Sequence, residues 1–77
     1  MNEAAARLAA LRAGLDAIAA ALEQDYLAVL PGMIDRHDAG VREFCALPGA
    51  NAHATEVRAL RDAQQVLVER MRERQAR

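Results

Sequence analysis

The chain has 77 residues and a formal charge of −1, with no lysine, so it lacks the basic face that a nucleic-acid binder needs. Apolar residues make up 53%, but many are alanine, and one Phe, one Tyr and no Trp leave only a thin aliphatic core. Cys45 is the sole cysteine, which excludes an internal disulfide, and no apolar run approaches the ~20 residues of a membrane span.

The near-neutral total hides an asymmetry. Residues 1–46 carry four Arg against seven acids, and residues 47–77 carry six Arg against four. The only basic cluster, Arg70, Arg72, Arg74 and Arg77, is interleaved with Glu69 and Glu73 and reads as a solvated helix end that suits the negative end of the helix dipole. Glu3, Arg7, Arg12 and Asp16 interrupt the first alanine-rich stretch, so no signal-peptide core is expected there. Cytoplasmic location is the expectation, and the Ala- and Arg-rich usage is of the kind that GC-rich bacterial genomes produce.

In the first element, Leu8, Leu11, Leu15, Ile18 and Leu22 recur at steps of three and four, which places them on one helical seam. Asn2 can cap this helix and Glu3 can pair with Arg7 one turn on. The pattern predicts a helix over about 3–24, with Asp25 as the N-cap of the next.

The second seam is Leu27, Leu30, Ile34, His37, Val41 and Phe44. Pro31-Gly32 lies inside it, so the chain either turns there or kinks. Because the seam stays in phase across Pro31, the expectation is one helix over about 26–46, kinked at 31–32. Leu47-Pro48-Gly49-Ala50-Asn51 is the clearest break, with Asn51 placed to cap the next helix. That third helix is expected over about 52–74, on the seam Val57, Leu60, Gln64, Leu67 and Met71. The fold class is all-α: a single helical domain over 1–77, either an antiparallel three-helix bundle or a kinked helical hairpin, with homodimerisation through coiled-coil-like seams open to it.

Chemistry is sparse. His37, Asp38, Cys45 and His53 lack the short spacing of a zinc motif, so no metal is expected, and His37 reads as a core histidine. Asp35 and Asp38 share a helix face, but Arg42 one turn after Asp38 gives a surface ion pair and not an acid/base couple. Leu8 to Ile18 superficially resembles the opening of an all-helical chorismate mutase. That family uses a lysine, absent here, and its first helix continues where this chain has Pro31-Gly32. No enzyme, no catalytic residue and no cofactor are therefore expected.

Gln64 is the polar member of the third seam, the kind of residue that fixes helix register. Val66 and Val68 flank Leu67, which widens the apolar surface beyond one seam and suggests a second neighbour.

The layout resembles the FliT/FlgN type of flagellar export chaperone. It has a first amphipathic helix through Leu22, an acid–aromatic junction at Asp25-Tyr26, a second helix carrying Arg36, a Leu-Pro-Gly break at 47–49 and an Arg-rich end over 68–74. The resemblance implies a chaperone of flagellar or type III secretion that holds an amphipathic helix of a secreted axial subunit, a protein partner, in a groove between its own helices. The 77 residues are short for that family, and their pattern predicts no clear extra C-terminal helix of the kind that can cover the groove. Partner contact is expected at Leu30, Ile34, His37 and Val41 of the second helix and at Leu60, Gln64, Leu67, Val68 and Met71 of the third. The alternative is a self-assembling helical regulator or adaptor dimer with no export role.

Overall fold

The computed structural model describes residues 2–77 and is all-helical, in the order α1 (Glu3–Glu23), α2 (Leu30–Cys45), a 3-10 turn (Ala50–His53) and α3 (Ala54–Gln75). The three helices form an up-down-up bundle, a rod with extents of 43 × 18 × 15 Å. All three pairs of helices touch.

α1 begins as its sequence requires. The Asn2 side-chain oxygen accepts the Ala5 N–H at 3.2 Å, and Arg7 pairs with Glu3 at 3.1 Å. It ends in a left-handed turn. Asp25 has φ 57°, the Tyr26 N–H donates to the Ala21 carbonyl at 3.0 Å and the Asp25 N–H to the Leu22 carbonyl at 3.1 Å. Those two reversed bonds are the Schellman motif, which satisfies carbonyls that a helix end leaves free. Asp25 therefore closes α1 and does not open α2. Asp tolerates the left-handed region better than most residues with a Cβ.

The expected kink at Pro31-Gly32 is absent. A short turn follows Asp25, and α2 starts at Leu30, so Pro31 falls in its first turn. There the N–H that proline lacks has no helical acceptor, and its fixed φ suits the start of a helix. The phase of the second seam survives because Leu30, Ile34, His37, Val41 and Phe44 all lie within α2. Only Leu27 stands in the turn.

After α2, Gly49 takes φ 82°, a backbone state that L side chains rarely adopt, and a 3-10 turn leads into α3. Asn51 lies within that turn, and the residue before α3 is His53, which makes no side-chain cap bond. His53 instead sets its ring edge-on to Phe44, centroids 5.9 Å apart, and its Nδ1 lies 3.1 Å from a Glu56 carboxylate oxygen.

The seams close on each other as two clusters. At one end Ile18, Ala21, Leu22, Leu30, Ile34, Leu67 and Met71 pack together. At the other, Leu8, Val41, Phe44, Val57 and Leu60 do so, and Leu15 of α1 touches both clusters. α1 and α2 approach closely through Gly14 and Gly40. A Cβ at Gly14 would lie 3.2 Å from the His37 ring, and one at Gly40 3.0 Å from Leu11.

Two substitutions test this arrangement by urea unfolding. Phe44→Ala removes a fully buried ring and is expected to cost about 3–5 kcal/mol. Pro31→Ala is expected to change stability by less than about 1 kcal/mol, because Pro31 occupies a first-turn position. A gain of about 3 kcal/mol would instead mark a mid-helix proline.

Candidate partner-binding surface

The residues predicted to touch a partner lie mostly inside the chain. Leu30, Ile34, His37, Val41, Leu60, Leu67 and Met71 are all buried, while Gln64 and Val68 are half-buried. In the free chain they do not form an open groove, because in an up-down-up bundle each seam is covered by the other two. Among them, Leu67 also borders open surface.

Between the two apolar clusters lies a polar layer that joins all three helices. His37 of α2 is only 6% exposed. Its Nδ1 lies 2.6 Å from the Gln64 side-chain oxygen on α3, and its Nε2 lies 3.0 Å from the Leu11 carbonyl on α1. The Gln64 amide nitrogen in turn donates to Asp38 at 3.3 Å, and Asp38 pairs with Arg42. Both seam positions that the sequence marked as polar, His37 and Gln64, thus meet each other. Gly14 makes room for the imidazole on the α1 side.

The bond from Gln64, then the Arg42 guanidinium, holds the Asp38 carboxyl below its ordinary value of 3.8. Asp35, on the same helix, is exposed. Among the described residues, no three His, Cys, Asp or Glu side chains converge as for a metal ion. No described helix is long and apolar enough to cross a membrane.

A second polar tie closes the far end. Arg74, near the end of α3, donates to the Leu22 carbonyl at the end of α1 and to the Asp25 carboxylate at 2.7 Å. It is one member of the Arg-rich terminus, and it places a positive charge on the negative end of α1.

The open apolar surface runs between α1 and α3, which lie parallel to each other. Leu15, Ala19, Ala63, Val66 and Leu67 line a groove of about 490 Å³, with Arg12 and Asp16 on its rim. Val66 is 45% exposed, one of three large apolar side chains left on the surface among the described residues, with Tyr26 and Val29. Tyr26 and Val29 sit in the α1–α2 turn. The sequence signal for this groove was Val66, which lies beside Leu67 and off the seam. Ala19 and Ala63 carried none, because alanines occur on every face of this chain.

A second opening, about 310 Å³, lies between the start of α3 and the end of α2 and is lined by Cys45, Ala54, Val57, Arg58 and Arg61 among others. It is more polar at its rim, and the exposed Cys45 thiol stands at its edge.

Asp38 provides an acid-side test. Its folded-state value is lowered, so the stability it contributes is present above the ordinary carboxylate range and is lost as the pH falls from about 4 through the lowered value. Urea midpoints are expected to drop with acid over that window in the native chain, and to drop less in Asp38→Asn. No protein-family model, no curated protein and no solved structure matches this chain.

Proposed function

We propose that this chain is a non-catalytic helical binding protein that seats an amphipathic helical segment of a protein partner in the groove between α1 and α3. The observation that carries this reading is the groove itself. It has an apolar floor of Leu15, Ala19, Ala63, Val66 and Leu67, it is wide enough for side chains, and it is bordered by two parallel helices. A helix laid along it would place residues at i, i+3 and i+4 onto Leu15 and Val66 and would complete a four-helix arrangement. Arg12 and Asp16 on the rim offer one charge of each sign to flanking residues of that helix.

The chaperone role, that of a small cytoplasmic carrier of a flagellar or type III secreted subunit, rests on the resemblance in helix layout. In that reading the secreted segment, kept from aggregating, supplies the fourth helix. The partner contacts move from the buried seams to the outward side of α1 and α3, with Leu67 common to both sets.

The test is affinity capture of the tagged protein from a bacterial lysate, with mass spectrometry of proteins recovered in near-equal amount. A secreted axial or type III subunit is expected, and Val66→Asp is expected to reduce its recovery at least about tenfold, the effect of losing a central apolar anchor. Because Val66 is 45% exposed and lies outside both core clusters, that variant should lose no more than about 1 kcal/mol of stability relative to the native chain. Recovery of the bait alone as a stable dimer would move the weight to the self-assembling regulator, and capture unaffected by Val66→Asp would move the site away from this groove.

A further inference from the structure

We propose that the opening between the end of α2 and the start of α3 binds a small monocarboxylic acid, its apolar tail on Val57 and its carboxylate between Arg58 and Arg61. This site is separate from the α1–α3 groove and does not rest on the partner reading.

The floor of the opening is apolar and unfilled. It holds about 310 Å³, at the small end of the roughly 300–1,000 Å³ over which ligand pockets fall. Ala50, Ala54 and Val57 line its base. Val57 is buried in one core cluster with Phe44 and Leu60, and Ala50 packs against that cluster. The base is therefore the outer side of the core, left open where residues 50 and 54 carry only a methyl group. An apolar chain laid there extends the cluster and removes its surface from water.

The rim supplies the charge. Arg58 and Arg61 are three apart on α3, so they stand on one face of the helix. Arg7, Arg42 and Arg74 are each paired with a carboxylate, whereas neither Arg58 nor Arg61 joins an ion pair among the described residues. The neighbouring acids are engaged elsewhere or stand apart. Asp38, which feels Arg61 through space, is bonded to Gln64 and Arg42, and Glu56 faces His53. Asp62 lines the opening but pairs with neither arginine. Two cations against that one carboxylate leave a single positive charge in excess. A guanidinium matches the two oxygens of a carboxylate, and such charge-assisted bonds are about twice as strong as neutral ones.

Floor and rim together select the ligand class. A bare anion leaves the apolar base wet. A neutral apolar molecule leaves the guanidinium groups with water as their only acceptor. A second carboxylate on the ligand would meet Asp62. One carboxylate on a short hydrocarbon tail satisfies both parts of the site.

The test is a titration of the full chain, followed by nitrogen-15 amide spectra near neutral pH and at constant ionic strength. Three probes are compared: hexanoate, hexanamide (the tail without the charge) and acetate (the charge without the tail). Hexanoate is expected to shift the amides around Cys45, Ala54 and Arg58 saturably, with a dissociation constant of about 1 mM or below. Hexanamide and acetate should each bind at least about tenfold more weakly. A protein carrying both Arg58→Gln and Arg61→Gln should lose at least about tenfold in hexanoate affinity while staying folded, because both side chains are exposed. Ala54→Leu fills the opening from an exposed position and should abolish the shifts. Equal binding of hexanamide, equal binding of acetate, or hexanoate shifts confined to the α1–α3 groove would each overturn the proposal. Should Ala54→Leu fail to fold, the three probes on the native chain and the double arginine variant decide the matter.

Discussion

The contact on which the rest of the bundle depends is the bond pair from His37 to the Leu11 carbonyl and the Gln64 amide. Apolar packing alone sets few constraints on how three aliphatic seams slide past one another, because leucine and valine surfaces fit in several registers. A buried imidazole with two directional partners on two other helices fits in one. One turn of slippage by α1 or α3 would leave the ring, the amide or both without partners, at a cost comparable to much of a small domain's stability. The two apolar clusters then form on either side of this fixed layer, one around Leu22, Leu30 and Met71 and the other around Leu8, Phe44 and Val57.

The ends of the bundle are held by a similarly small number of polar groups. α1 closes in a Schellman turn at Asp25, and Arg74 of α3 reaches that turn to bind both the Leu22 carbonyl and the Asp25 carboxylate. One guanidinium thus ties the last turn of α3 to the last turn of α1, two parallel helices that share no connecting loop. At the opposite end, the His53 ring packs edge-on to Phe44 and bonds to Glu56, so the 3-10 turn is anchored to the end of α2. A core this thin gains from such ties, since each restrains a helix end that would otherwise fray.

Closing the three seams on each other leaves the apolar character that is off the seams, chiefly Val66 with Leu15, Ala19 and Ala63, as the surface available to a partner. The proposed binding groove and the polar layer are therefore separate features that share a helix pair. Leu15 and Leu67 belong both to the groove and to the apolar core, each with one side on either. A helix seated in the groove would stabilise the closed bundle and would not compete with it, which suits a carrier that tightens around its client.

Helix existence was legible in the chain because steps of three and four are a local property, and every seam residue except Leu27 lies on a helix that the spacing predicted. So were the Asn2 cap, the Glu3–Arg7 pair and the Asp38–Arg42 pair, each of which needs only neighbours within one turn. The place where α2 begins was not. A proline in phase with an apolar seam is compatible with a kink or with a first turn, and the choice went to the first turn once Asp25 adopted a left-handed conformation that the Arg74 side chain, 49 residues away, helps to hold. Tertiary structure likewise decided that the seams face inward, toward one another, and that His37 and Gln64, both marked as polar positions, are partners. Those outcomes depend on which helices become neighbours and at what register, and no spacing along a single helix contains that information.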